Sequence, residues 1–369
     1  MFGIVQGWAA SGQYQRSGKV GPVRSPTVAE RVLTTRELNR ALLARQLLLE
    51  RVRLPIPRVL ERIGGIQNQY APNGYIRLWS SVEGFARDDL TRALERRSVI
   101  QGTLMRETIH LVSRRDYPLF AAGIRRSGQE WRLRVDKLAD DREVAAAARK
   151  LARHLRGRTI SRKELGAFAR GTTGGVGHWV DLVRVPPCGT WEQRGAHTYG
   201  LASEWVCPLE ATEDDGIEHL TRRYLGAFGP APAKDIASWS KIPAKRLAPV
   251  LERMQLRRFR DEAGKELLDL PRASLPDPET PAPVRFLPTW DATLLVHARR
   301  TLILPEAYRE RIFHVRAPHS FPTFLVDGQV AGTWRYEGGR VRIEPFGRLS
   351  RGSRAELGAE AESLAELHM

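Results

Sequence analysis

The chain reads as an α+β protein of repeated helix-turn-helix units, each closed by short strands, followed by a small all-β region. Three observations predict this. Capped amphipathic helices followed by a pair of short strands recur as far as Leu270. Beyond a proline- and acid-rich stretch at Ala273–Pro283, which reads as a linker, the hydrophobic period changes to two. Lys and Arg exceed Asp and Glu by 59 to 42, a net charge of +17, and a surplus of that size points to a polyanion partner, most commonly nucleic acid.

The first unit opens at Thr34-Thr35-Arg36-Glu37, a capping-box pattern, and Leu38, Leu42, Leu43 and Leu47 then fall on one helical face. Pro57 suits the first turn of a second helix reaching Ile63, and Gly64-Gly65 stops it. Asp88 is expected to cap a third helix running through Arg97. Val99–Leu104 and Thr108–Val112 follow as strands, and Ser113 caps the helix that begins at Arg114. Three helices and a two-stranded ribbon make a winged helix-turn-helix pattern.

A second capping box, Ser161-Arg162-Lys163-Glu164, starts a comparable unit. It continues through a Gly-rich break at Gly171–Gly177, a helix expected at His178–Arg184 and a strand at Thr198–Leu201. The Gly-rich run has no following Lys-Ser/Thr, so it reads as a loop and not a nucleotide cradle. A third unit starts at His219, breaks at Gly229-Pro230 and resumes as helices at Lys234–Trp239 and Lys245–Met254, with wing strands at Leu256–Phe259 and Glu266–Leu270. After the linker, Thr323–Val326, Gln329–Tyr336 and Arg340–Pro345 read as strands joined by Asp327-Gly328 and Gly338-Gly339 turns. In the last of them Val341 and Ile343 face one side and Arg340, Arg342 and Glu344 the other. Residues 353–369 suit a terminal helix, and residues 1–28, rich in Gly, Ser, Gln and Arg, a flexible tail.

Of the 59 basic residues 51 are Arg, whose fork suits phosphate better than an ammonium does. Cys188 and Cys207 have neither zinc-site spacing nor the number for a disulfide framework, and His314 and His319 lack acidic company, so no metal is expected. No apolar run of membrane-spanning length occurs, and a cytoplasmic, nucleoid-associated protein is expected.

The most informative stretch is Gly65–Phe85, where Gln67 and Gln69 follow an Ile-Gly-Gly turn. If residues 67–69 are extended, both amides point the same way, whereas in a helix they diverge. Each amide offers an acceptor oxygen and two donor hydrogens without an ionisable proton, so the pair can hold a water or a base edge. Alone, such a pair is more often a polar loop. Other segments add specificity: Glu37-Leu-Asn-Arg-Ala-Leu-Leu-Ala-Arg-Gln46, Leu78-Trp79, Met105-Arg-Glu-Thr-Ile-His110-Leu-Val, Arg222-Arg-Tyr-Leu-Gly-Ala-Phe-Gly-Pro230, Leu287-Pro-Thr-Trp-Asp291 and Val326-Asp-Gly-Gln-Val-Ala-Gly-Thr-Trp334.

With these segments the chain resembles, from about residue 33 to 350, the AlkZ-like winged-helix DNA glycosylases, a bacterial family that unhooks interstrand crosslinks. The resemblance implies three tandem winged-helix domains and a C-terminal β-barrel around a concave DNA channel. The corresponding boundaries are a tail at 1–28, winged-helix domains at 29–155, 156–215 and 216–275, a barrel at 284–350, and a tail or helix at 351–369. The family's catalytic Gln-x-Gln motif falls on Gln67 and Gln69; its usually apolar middle position is Asn68 here, and Glu107 replaces a commoner Gly.

The implied activity is a monofunctional glycosylase acting on double-stranded DNA that carries N7-alkylated purines, crosslinks included, as a monomer and without cofactor. An N7-alkylated purine is already cationic and needs no protonation to leave. Glutamine carbonyls that place a water and face the developing oxocarbenium then suffice, and their weakness spares normal bases. A crosslinked base cannot swing freely out of the helix, so an open channel suits it better than a snug pocket.

Thr108, His110 and Asp291 are supporting candidates, with a structural histidine the favoured reading of His110 and structural hydrogen bonding that of Asp291. Arg299, Arg300, Arg335, Arg340 and Arg342 are candidate phosphate contacts, weighed evenly against a solvated face. Trp79 reads as core. The competing function is a non-catalytic winged-helix DNA-binding protein or transcriptional regulator, against which stand the repeated modules and the lack of a dimerisation helix. A Ser-His-Asp hydrolase has no Gly-x-Ser-x-Gly elbow to support it.

Overall fold

The computed structural model describes residues 30–369 apart from 138–139, 170–175, 196–197, 208–209, 296–299 and 314–319. The expected tail at 1–28, most of the Gly171–Gly177 run, Arg299, His314 and His319 lie outside the described residues.

Local chemistry sets the first helices as expected. Thr34 accepts from the Glu37 amide while Glu37 reaches back to the Thr34 amide at 2.8 Å, and the helix Thr35–Arg45 follows. The next helix, Ile56–Ile63, ends at Gly64 in the left-handed region (φ 78°), where only glycine sits without strain. The third expected helix forms at Arg87–Glu95, but Asp88 does not cap it; the carboxylate of Asp89 accepts from the Ala86 amide instead. A helix at Pro72–Trp79 was not anticipated. Its Pro72-Asn73-Gly74 start has the composition of a turn, yet proline is tolerated in a first helical turn and Asn68 Oδ1 accepts the Gly74 amide at 2.9 Å. The helix expected at His178–Arg184 does not form: Leu182–Arg184 is a strand, recruited by its neighbours Val99–Thr103 and Thr198–Leu201.

Strands of the first and second expected units therefore share one antiparallel six-stranded sheet. Its order is Ile66–Gln67, Ile109–Ser113, Val99–Thr103, Leu182–Arg184, Thr198–Leu201, Ile160–Ser161, so the glutamine strand lies at one edge. A second sheet holds the third unit's strands, Arg257–Asp261 and Glu266–Asp269, with Val32–Leu33 from the start of the described chain running parallel to the first of them. Helices Asp116–Val135 and Glu213–Phe228 bring the first and third units together. They cross at Gly123 and Gly216, where a methyl on Gly216 would stand 2.2 Å from the Gly123 nitrogen. Phe120, Tyr224 and Trp239 fill the core beside this crossing.

The C-terminal β-region is not a closed barrel among the described residues. It is an open antiparallel sheet of Arg285–Leu287, Thr323–Val326, Gln329–Glu337 and Arg340–Pro345. Its first strand, Arg285–Leu287, and its last, Arg340–Pro345, are the two edges of the sheet and do not pair with each other. The helix Arg351–His368 covers one face instead, burying Leu357, Ala361, Leu364 and Leu367. Phe286, Phe324 and Trp334 of this sheet join Leu60, Tyr75 and Trp79 in one hydrophobic core. The sheet is thereby fixed against the segment that carries the glutamines. No helix among the described residues is long and apolar enough to cross a membrane.

Candidate active site

Ile66–Gln67 is a short strand at the sheet edge, and Gln69 lies in the bend that follows it. Ile66 and Gln67 pair with Leu111 and His110, and the Asn68 amide donates to the Ile109 carbonyl at 2.7 Å. Asn68 is buried and turns towards Gly74, while the Gln67 amide meets Arg106 in the turn between the neighbouring strands and the Gln69 amide meets Ile109 at the start of the second of them. Gln67 Oε1 accepts from the Arg106 guanidinium at 2.7 Å, and Gln69 Oε1 accepts from the Ile109 amide at 2.7 Å. Each carbonyl keeps a second lone pair. Gln67 is buried and Gln69 exposed, so the two span the boundary between interior and solvent. Asn68 thus does a helix-capping job that an apolar residue could not.

Arg106 is the partner that sequence reasoning missed. It and Glu107 both lie in the left-handed region (φ 53° and 60°), a conformation that costs non-glycine residues free energy and persists only where surroundings enforce it. Here the surroundings are the end of the helix Ala233–Ser240. Arg106 donates to the Trp239 carbonyl at 2.6 Å, and Glu107 accepts from Lys241 Nζ at 2.8 Å. Burial lowers the Arg106 pKa to about 10, which leaves it cationic at neutral pH. The positive φ at Glu107 also accounts physically for a position where glycine is at ease.

Gln67, Gln46, Arg77, Trp290 and Asp291 line a small cavity whose space for a water's centre, about 10 Å³, matches one water molecule. Arg77 and Asp291 are both buried and pair at 3.0 Å. Arg77 also donates to the Gln46 carbonyl and to Gln46 Oε1 at 2.8 and 2.9 Å. Asp291 Oδ1 takes the Thr293 amide and hydroxyl at 2.9 and 2.6 Å. The carboxylate therefore has structural partners on both oxygens while bordering the cavity beside Gln67.

His110 lies directly across the ladder from Gln67, is buried, and holds the Thr108 carbonyl through Nδ1 at 2.9 Å. Desolvation, aided by the nearby Arg106 charge, lowers its pKa to about 3, so at neutral pH it is a neutral imidazole. A depressed histidine pKa means the unfolded chain takes the proton first. Stability is therefore expected to be complete above pH 6.5 and to fall by up to about 4–5 kcal/mol as pH drops towards 3. His110→Asn should remove that part of the acid slope, as measured by urea unfolding at pH 7 and pH 4. Thr108 uses its hydroxyl on the Met105 carbonyl at 3.1 Å and approaches neither glutamine through any hydrogen bond seen here.

Of the candidate phosphate contacts, Arg335, Arg340 and Arg342 lie on the strands Gln329–Glu337 and Arg340–Pro345. Arg335 is exposed but already engaged by Glu337, at 3.2 Å, and by Glu344. Arg342 lies opposite Arg335 and Arg340 opposite Glu337, so this exposed face is of mixed charge. Arg300 starts a short 3-10 turn, Arg300–Leu302. A far larger groove, about 1400 Å³, runs between the first and third units and the linker; Arg62, Arg222, Arg223 and Arg272 line it, and neither glutamine does. No cluster of His, Cys, Asp or Glu suited to a metal occurs among the described residues, and Trp79 is core as expected.

Gln67 thus borders a water-sized cavity at a sheet edge of a strongly basic chain, and comparison with known proteins gives the class: a DNA glycosylase. The model of the family described as "DNA glycosylase AlkZ-like" matches residues 60–367, and the chain belongs to that family. Among solved structures it is similar to the Streptomyces sahachiroi DNA glycosylase AlkZ, with a TM-score of 0.77 at 19% identity, covering 91% of this chain and 97% of that one. No curated protein matches the chain.

Proposed function

We propose that this glycosylase hydrolyses the N-glycosidic bond of N7-alkylated purines in duplex DNA, interstrand crosslinks included, and leaves an abasic site without cutting the strand. The observation that carries the reading is the placement of Gln67. Its amide is held by Arg106 on one side and borders a cavity of one water's size on the other. Gln67 and Gln69 would orient the attacking water and face the cationic sugar with their remaining lone pairs, while the positive charge already on the purine drives its departure. Neither amide can take a proton as a strong base, so neutral bases are spared. His110 is neutral and hydrogen-bonded, and serves the ladder. The protein is read as a cytoplasmic monomer on nucleoid DNA, built from three winged-helix units with the open sheet as a fourth element.

Incubation of the purified chain with duplex DNA carrying an N7-methylguanine tests this directly. Alkali-labile abasic sites should accumulate above the spontaneous rate, and uncut DNA before alkali should identify the activity as monofunctional. No release above background on any alkylated duplex would favour the non-catalytic DNA-binding reading.

The basic surplus sets a further expectation. Affinity for intact duplex should fall steeply with salt as phosphate contacts release counterions. Arg62→Ala and Arg272→Ala, in the large groove, should each lower the salt slope by roughly one unit. Arg335→Ala should lower it less, because Glu337 and Glu344 already neutralise that guanidinium. Equal slopes for all three variants and the parent would refute both assignments.

A further inference from the structure

The two glutamines are held by different means. Gln67 lies in a strand, and Arg106 fixes its amide. Gln69 has left the strand, so no ladder holds it. The Asn68 amide still donates to the Ile109 carbonyl, but the Ile109 amide donates to Gln69 Oε1 at 2.7 Å. In a continuing antiparallel ladder the Asn68 carbonyl would take that bond. The bend at Gln69 and Tyr70 is therefore set from its two ends. At the far end it runs into the helix Pro72–Trp79, where the Asn73 amide donates to the Tyr70 carbonyl at 2.9 Å. From the near end Asn68 reaches across the bend, and its Oδ1 accepts the Gly74 amide at 2.9 Å; the other acceptor for that amide, the Ala71 carbonyl, lies at 3.3 Å.

This contact depends on a close approach. A Cβ on Gly74 would stand 3.0 Å from Asn68 Oδ1 and 2.5 Å from Leu111 Cδ1, so a side chain there would push the helix away. Asn68 also carries a cost. It is 2% exposed, and its Nδ2 is buried with no hydrogen-bond partner among the described residues. An unpaired buried donor is destabilising, and an apolar side chain would avoid it. What the asparagine supplies is the acceptor oxygen.

We propose that Asn68 is the positioning residue for Gln69: its bond to Gly74 closes the bend and aims the second glutamine, while Gln67 is left to its own partners. The assignment rests on the reading of the two glutamines as the reaction centre.

Two variants and two readouts test it. Asn68→Leu removes the acceptor, and Asn68→Asp keeps it. Single-turnover release of N7-methylguanine should fall roughly 2- to 12-fold in Asn68→Leu, the weight of one hydrogen bond. Asn68→Asp should retain most of the rate. The Asn68→Leu loss should vanish in a Gln69→Ala background, where no side chain is left to aim, and persist at least in part in a Gln67→Ala background. The second readout is amide hydrogen exchange by NMR. The Ile109 amide should exchange faster in Asn68→Leu than in the parent chain or Asn68→Asp, with the amides of Val99–Thr103 unchanged.

Parental release and parental Ile109 exchange in Asn68→Leu would overturn the proposal, and so would an undiminished loss in the Gln69→Ala background. Equal defects in Asn68→Asp would remove the Gly74 bond as the cause. Faster exchange throughout Val99–Thr103 with a lowered melting temperature would make Asn68 purely structural. If the parent chain releases no base while Ile109 exchanges faster in Asn68→Leu alone, the positioning of Gln69 stands and the glycosylase reading of the pair fails.

Discussion

Gln67→Ala is expected to slow single-turnover release of N7-alkylated purine by between roughly tenfold and a thousandfold, while affinity for the duplex stays close to that of the parent. The upper figure applies where one preorganised group carries much of the charge stabilisation; a purine that leaves readily unaided pulls the effect towards the lower one. Gln69→Ala should lose a comparable factor. The double variant should lose less than the product of the two, because residues orienting one water act as a unit. Arg106 extends the test. Its hydrogen bond fixes the Gln67 amide, so Arg106→Ala should reproduce part of the Gln67→Ala defect and add little to it when the two are combined. Release at the parental rate in both single glutamine variants would remove the pair from the mechanism.

The second large effect is on stability. Asp291→Ala leaves the Arg77 guanidinium buried without its counter-charge, and removing one partner of such a pair costs about 3–5 kcal/mol. Burial already lowers the Arg77 pKa, which marks the guanidinium as costly to hold there. Urea unfolding should report the loss as a lower midpoint with an unchanged slope. The double variant Arg77→Met with Asp291→Leu should recover much of it, since an apolar pair avoids the desolvation cost. Base release then separates two roles for Asp291. If the folded double variant retains the parental rate, the carboxylate is structural; if it is stable and inactive, the carboxylate acts on the water beside Gln67.

The parts of the fold that were legible in the sequence are those governed by neighbours. Thr34 and Glu37 announce the start of one helix within four residues, Gly64 the end of the next, and the Asp327-Gly328 and Gly338-Gly339 turns a hairpin register. The extended reading holds for Gln67, which lies in the strand Ile66–Gln67, whereas Gln69 falls in the bend beyond it. Features decided by distant partners were not legible. Leu182–Arg184 has local signals compatible with a helix, and pairing with Val99–Thr103 and Thr198–Leu201 makes it a strand. The open sheet departs from the expected barrel because the helix Arg351–His368 covers the face that closure would have protected. Within the site, Arg106 meets Gln67 across 39 residues of sequence and Asp291 meets Arg77 across a domain-scale separation, and no periodicity encodes either meeting. A signal for Arg106 did exist: a charged dipeptide placed where a glycine is commoner demands something nearby to hold it.

The parallel pairing of Val32–Leu33 with Arg260–Asp261 has a consequence for how the molecule is made. The neighbouring bond from Thr35 to Glu262 closes a span of 227 residues. At ribosomal speeds of ~5–20 residues per second, the early strand waits roughly 10–45 s for its partner to be synthesised. During that interval its apolar Val32 and Leu33 and their unpaired backbone groups remain available to other edges, including those of nascent copies on the same messenger. Slowing elongation should therefore lower the soluble yield of this chain, and replacing Val32 by a charged residue on the exposed side of the strand should restore it.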